Sequence, residues 1–306
     1  MFNLLGGFCF YGIYMTILWA YNSFLESLLG IIWGSLRSWV TKEKLTERYG
    51  PWAVITGATD GIGKRYAENL ASQGLNIVLI SRSEVKLIKV ANELYEKYNV
   101  ETRWIAVDFT KGPHIYKPIQ EELSMLDIGL LVNNVGFHSS VRCFDLNTEE
   151  DILSTINVNV MATTLMTRIV LPGMKQRRRG IVINISSVAG YVPSPYINVY
   201  GASKAYVNHF SLAMSHELRG TGVECQVVVP SVVKTNMSQR YQDGIPWFMS
   251  VANVEELGRF GVFTIGKTMH TCGGWMHAFQ VCWKDVVPSS WAVALIAKVT
   301  VQGVGR

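Results

Sequence analysis

The sequence predicts an α/β fold on a doubly wound parallel sheet, preceded by an apolar N-terminal segment suited to a membrane. Three observations carry this reading. From Trp52 to Pro230, short β-rich runs alternate with longer helical periodicities. The strand runs are continuously apolar, the pattern of a sheet covered by helices on both faces. Residues 1–36 hold a single charged side chain, Glu26.

The N-terminal segment accounts for a mean hydropathy of +0.19, high for a soluble chain. About 20 apolar residues span a bilayer, so residues 1–40 are expected to anchor the chain, with a polar linker at 41–50. A cleaved signal peptide fits poorly, because no basic residue precedes the apolar run. A buried helical hairpin is the alternative. Arg37, Lys42, Lys44 and Arg48 follow the run, and the positive-inside rule then keeps the body of the chain cytosolic.

Composition narrows the rest. With 49% hydrophobic and 17% charged residues the 306-residue chain is not disordered. Its 28 Lys and Arg against 23 Asp and Glu give a charge of +5, too small and scattered for nucleic acid. The five cysteines, Cys9, Cys143, Cys225, Cys272 and Cys282, form no C-x-x-C pair, so neither a disulfide framework nor a metal site is expected.

Strands are expected at Trp52–Thr56, Asn76–Ser81, Arg103–Val107, Ile128–Val132, Ile181–Ile185 and Glu224–Val229, with helices over 62–73, 84–98, 149–175 and 199–219. The first strand ends in Thr56-Gly57-Ala58-Thr59-Asp60-Gly61-Ile62-Gly63, which opens into a helix. Glycines there let the backbone turn tightly and approach a diphosphate at the helix N-terminus, as in a Rossmann-type dinucleotide site; a plain tight turn is the alternative. The second strand ends in Ser81-Arg82-Ser83, where an NAD enzyme would carry a carboxylate for the ribose 2′-hydroxyl. A guanidinium there grips a phosphate, so NADP(H) is the expected cofactor, with Lys64 or Arg65 assisting; an ordinary solvated Arg is the alternative.

The chemistry is expected further on. Tyr200 and Lys204 are four residues apart and share a helix face, which brings an ammonium near a phenol. A nearby cation would draw a phenol of pKa near 10 toward the working range of a general acid. Ser187 precedes Tyr200 by 13 residues at a strand end, within reach of a substrate carbonyl.

Together the Gly57/Gly61/Gly63 loop, Asn133-Asn134-Val135-Gly136, Asn159, Ser187, Tyr200 and Lys204 resemble the short-chain dehydrogenase/reductase family over about residues 50–236. Tyr49-Gly50-Pro51-Trp52-Ala53-Val54, Asn76 to Arg82, Val100-Glu101-Thr102, Val107-Asp108-Phe109 and Leu171-Pro172-Gly173-Met174 are similar to very-long-chain 3-oxoacyl-CoA reductases, to 17-beta-hydroxysteroid dehydrogenases and to hydroxysteroid dehydrogenase-like proteins described as inactive. The resemblance implies Tyr200 as proton donor, Lys204 lowering its pKa and holding the nicotinamide ribose, Ser187 polarising the carbonyl, and Asn159 holding a water of the proton relay. It implies a cofactor shell of Gly57, Thr59, Asp60, Gly61, Ile62 and Gly63 at the diphosphate, Arg82 at the 2′-phosphate, Asp108 at the adenine, Asn134 near the adenosine ribose and Thr235 at the carboxamide. Residues 51–237 would form the NADP-binding domain, and residues 238–306 a substrate-side cover with a C-terminal membrane-facing piece.

Two functions remain open on this basis. One is an NADPH-dependent reductase of a lipid-like ketone, either a very-long-chain 3-oxoacyl-CoA or a steroid. The other is a non-catalytic binding or scaffold protein, and the inactive relatives are expected to lack the tyrosine that this chain has at Tyr200. The resemblance places the protein on the endoplasmic reticulum membrane, with the mitochondrion as alternative. The tail lacks the lysines of a retrieval signal. A homodimer is a further expectation.

Overall fold

The computed structural model describes residues 9–18, 29, 32–33, 35–36, 44–235, 251–272, 290–291, 293–294 and 297–298. The expected anchor and C-terminal membrane piece lie largely outside these. Residues 9–18 are helical, and Phe10, Tyr11, Ile13, Tyr14 and Ile17 are each more than half exposed. No helix among the described residues is long and apolar enough to cross a membrane.

The body is one parallel sheet of seven strands. In chain order the elements are α1 (Leu45–Arg48), β1 (Trp52–Thr56), α2 (Gly61–Ala71), β2 (Asn76–Ser81), α3 (Glu84–Tyr98), β3 (Thr102–Ala106), α4 (Tyr116–Leu123), β4 (Ile128–Asn133), α5 (Glu149–Ile156), α6 (Ala162–Arg177), β5 (Gly180–Ile185), α7 (Asn198–Glu217), β6 (Val223–Val228), α8 (Val254–Phe263) and β7 (His270–Thr271). The sheet order is β3-β2-β1-β4-β5-β6-β7.

The apolar strands explain this layering. Every residue of β1, β4 and β5 is buried, and successive side chains serve opposite layers. Ala53 and Ile55 pack with Leu70, Leu87 and Val262 from α2, α3 and α8. Val54 faces the other way, into the layer with Ile119, Met166, Val170 and Met214 from α4, α6 and α7. β3 is the edge strand, and there Arg103 and Trp104 are exposed.

Three differences from the expected elements have physical reasons. The run 149–175 divides into α5, a π turn at Asn157–Met161, and α6. The second half of the expected linker is docked: Tyr49 is buried, and Arg48 (2.7 Å) and the Tyr49 hydroxyl (3.1 Å) both donate to the Glu224 carboxylate. Described residues beyond 238 extend the alternation, since α8 packs on α2 and β7 pairs with β6.

Close backbone approach fixes the start of the domain. A Cβ on Gly129 would lie 2.6 Å from the Tyr49 carbonyl carbon and oxygen and 2.8 Å from the Gly50 nitrogen. Gly129→Ala must therefore push β4 away from this backbone, at a cost of about 1–3 kcal/mol. Urea unfolding should show the lowered midpoint with an unchanged slope.

Candidate active site

Apart from Asn159, Tyr200 and Lys204, the expected site residues lie on loops at the carboxyl ends of the strands or, for Gly61 to Arg65, in the first turns of α2. The glycine loop leaves β1 with Gly57 at φ +65° and Gly61 at φ +53°, backbone conformations that favour glycine. A Cβ on Gly63 would sit 2.4 Å from both the Gly57 carbonyl oxygen and the Asn134 amide nitrogen. Asn134 explains that tightness, since its amide nitrogen donates to the carbonyls of Thr56 (3.0 Å) and Gly57 (3.2 Å). It thus braces the loop. Asp60 caps α2 by accepting from the Gly61 N–H at 2.7 Å, and Thr59 bonds Ser81 at 3.0 Å. Thr235, in the segment after β6, packs against this loop, its methyl carbon 3.4 Å from where a Gly61 Cβ would be. The cradle, the helix N-terminus and the flanking hydroxyls fit a dinucleotide diphosphate.

Arg82 is exposed just beyond β2, and Asp108 follows β3, its carboxylate accepting from the N–H (3.0 Å) and hydroxyl (2.9 Å) of Thr110. Beside the loop lies a cleft of about 240 Å³, lined by Thr59, Asp60, Lys64, Lys86, Lys89 and Val90. Lys64 enters it paired with Glu93 at 2.7 Å. Arg65 turns elsewhere, to Glu68 and Glu255, which corrects its expected role beside Arg82. Lys86 and Lys89 were not singled out from the sequence; only the packing of α3 against α2 brings them to this cleft.

The structure gathers Ser187, Tyr200, Lys204 and Asn159 at the end of β5. Ser187 begins a 3-10 turn, Val188–Gly190, and accepts from the Ala189 N–H at 3.2 Å. Tyr200 and Lys204 lie in the first two turns of α7. The Ser187 side chain near the Tyr200 hydroxyl favours its ionised form, while burial of the phenol raises its pKa by more. Lys204 is 5% exposed; its ammonium donates to the Ile185 carbonyl at 3.0 Å and lies 5.8 Å from the centre of the Tyr200 ring. Burial pushes that ammonium down to about 8. Without other charges the pocket thus disfavours both ions, by desolvation.

Asn159 sits in the π turn, a distortion often found at functional sites. Its carboxamide oxygen accepts from the Phe137 N–H at 2.8 Å, and its nitrogen donates to the Phe137 carbonyl and to the Ser203 hydroxyl, both at 2.9 Å. One buried amide therefore joins the loop after β4 to the turn of α7 that carries Lys204. His138, the residue after Phe137, lies against Tyr200 and carried no recognisable signal in the sequence.

Comparison with known proteins assigns the family. The short chain dehydrogenase family matches residues 51–245. The chain belongs to that family. It is 38% identical over 302 residues to the human inactive hydroxysteroid dehydrogenase-like protein 1, covering 91% of each chain. It is 40% identical over 284 residues to the very-long-chain 3-oxoacyl-CoA reductase of Anas platyrhynchos, covering 91% of this chain and 89% of the other. Among solved structures, a 7beta-hydroxysteroid dehydrogenase superposes with a TM-score of 0.77 at 30% identity, over 83% of this chain and all of that one. A short-chain dehydrogenase of Sphingobium yanoikuyae in complex with NADPH gives 0.67 at 29% identity, over 84% and 96%.

Lys204 gives the site a measurable signature. Its pKa of about 8 in the native state compares with about 10.4 unfolded. Between these values the unfolded chain binds the extra proton, so native stability gains from this group as pH rises through the window. Below about pH 8 both states hold the proton and the contribution is flat. The stability of the unmodified protein relative to Lys204→Met should therefore climb between about pH 8 and pH 10, as denaturant titrations at each pH would read. A difference independent of pH would place the ammonium in solvent.

Proposed function

We propose that this protein is an NADPH-dependent reductase of a 3-oxo group on a lipid substrate, a very-long-chain 3-oxoacyl-CoA or a steroid ketone. The observation that carries the reading is the cluster of half-buried Ser187 and Tyr200 with buried Lys204 at the end of β5, beside a glycine cradle at the same edge of the sheet. Gly57, Thr59, Asp60, Gly61, Ile62 and Gly63 would hold the diphosphate, Arg82 with the lysines of the adjoining cleft the 2′-phosphate, and Asp108, Asn134 and Thr235 the flanking parts. When bound, the nicotinamide supplies a hydride for the carbonyl carbon.

The chain's own residues do the rest. The Ser187 hydroxyl donates to the carbonyl oxygen and polarises it. Tyr200 passes its phenolic proton to that oxygen as negative charge develops on it. The resulting phenolate is costly in a buried site, and the Lys204 ammonium stabilises it. Asn159 keeps the turn that carries Lys204 in place. A charged Lys204 requires a pH no higher than about 8, so turnover in the reducing direction declines above it.

A second reading, a binding or scaffold protein without turnover, is favoured by the name of the human relative, an inactive protein that this chain matches over 91% of its length. Tyr200 beside Ser187 argues against it. Assays of full-length protein in detergent with a panel of 3-oxoacyl-CoAs and 17-ketosteroids separate the two. Tyr200→Phe should lose about 10² to 10⁴-fold in kcat with NADPH affinity within a few-fold of normal. In the same assays Arg82→Ala should weaken NADPH by about 1.5–3 kcal/mol and leave NADH unchanged. NADPH binding without turnover of any ketone would select the scaffold reading, and equal affinity for both cofactors would remove the NADPH assignment.

Residues 1–40 anchor this enzyme in the endoplasmic reticulum membrane in our reading, with the catalytic domain toward the cytosol; the mitochondrion is the alternative address. Support for the anchor comes from the apolar side chains exposed along residues 9–18. Deleting residues 1–40 should move the protein from the membrane pellet to the supernatant. Full-length protein that is already in the supernatant without detergent would overturn the anchor. A homodimer is proposed on the resemblance alone.

A further inference from the structure

The loop after β4 places a second ring on Tyr200. The His138 imidazole lies with its centre 4.8 Å from that of the phenol, the two planes inclined at 57°. Tilted rings at 4.5–7 Å are the arrangement in which the positive edge of one meets the negative face of the other. This contact is built from two directions. Phe137, one residue before His138, is held at both its N–H and its carbonyl by Asn159. The same amide holds Ser203, three residues after Tyr200 on α7. One buried side chain therefore fixes the segments on which both rings stand. Burial lowers the pKa of the imidazole below its ordinary value, so His138 packs on the phenol as a neutral ring at pH 7.

We propose that His138 is a positioning residue for Tyr200, its ring holding the phenol in the rotamer that points its hydroxyl toward the side of the cleft where Ser187 stands. A phenol on one side of a cleft can swing about its first two torsions, and the tilted ring beside it removes that freedom. Misplacing a reacting group by a fraction of an ångström to an ångström is costly, so the effect falls on kcat and leaves cofactor binding alone. The inference rests on Tyr200 as proton donor for its catalytic consequence, while the ring contact is testable without turnover.

The test uses full-length protein in detergent micelles, labelled with carbon-13 at the tyrosine ζ carbon, with Tyr200→Phe identifying the Tyr200 resonance. His138→Gln keeps size and polarity without an aromatic ring, and His138→Phe restores a ring without the imidazole. His138→Gln should shift the Tyr200 resonance and lower kcat about tenfold, with KM for NADPH unchanged. His138→Phe should bring both close to the unmodified protein. An unmoved resonance in His138→Gln overturns the proposal, and so does a His138→Phe protein that binds NADPH normally yet resembles His138→Gln. If the unmodified protein reduces no ketone, the reductase reading fails by itself, and the resonance still decides the placement of Tyr200 by His138. Should His138→Gln not fold, His138→Asn and His138→Leu supply the same non-aromatic comparison.

Discussion

β1 pairs in parallel with β2 on one side and β4 on the other, and the remaining features follow from that double pairing. The chain leaves β1 toward one edge of the sheet and crosses back to the opposite side for β4, so the loops after these strands diverge and leave a crevice. Parallel strands put all their carboxyl ends along one rim. The glycine loop, Arg82, Asp108, Asn134 and Ser187 consequently line one edge although they are spread over 131 residues of sequence. The same geometry requires strands buried on both faces, and their continuous Val, Ile and Leu runs meet that need.

Polar groups within such a sheet must be paired. Asn133 and Asn184, at the ends of β4 and β5, bond one another at 2.9 Å and reach Thr167 on α6 (3.0 Å) and Ser211 on α7 (2.9 Å). These bonds use the amide nitrogens of both residues and stiffen the floor under the reactive cluster, while the Asn133 carboxamide oxygen is buried there without a hydrogen-bond partner among the described residues. Directly above, Lys204 gives up part of its ordinary basicity to burial while holding the Ile185 carbonyl. The site thus keeps an ammonium close to its titration point, where a neighbouring negative charge has most influence on it.

Features written as local patterns could be read from the sequence. The glycine spacing at Gly57, Gly61 and Gly63, the four-residue step from Tyr200 to Lys204 and the apolar strand runs depend on neighbours in the chain. Strand ends shifted by a residue or so, as at Thr102 and Val223, because pairing with the adjacent strand sets them. Side chains that matter through packing gave no such sign. Lys86 and Lys89 reach the cleft only because α3 lies against α2, and His138 meets Tyr200 only because Asn159 holds Phe137. Arg65 looked as available as Lys64 until α8 supplied Glu255. The apolar run of residues 1–36 is legible as composition, and it lies mainly outside the described residues.

The π turn at Asn157–Met161 has a consequence for insertions and deletions. A π turn accommodates about one residue more than an α turn, so it absorbs that residue locally while the helical segments on either side keep their bearings. Losing one residue between 157 and 161 would let α5 and α6 join as a continuous α-helix with their bearings kept, and would change only the local path of the backbone that carries Asn159. Asn159 would then leave the point from which it reaches Phe137 and Ser203 together. Length is therefore the conserved quantity to look for in this stretch, ahead of side-chain identity at most of its positions.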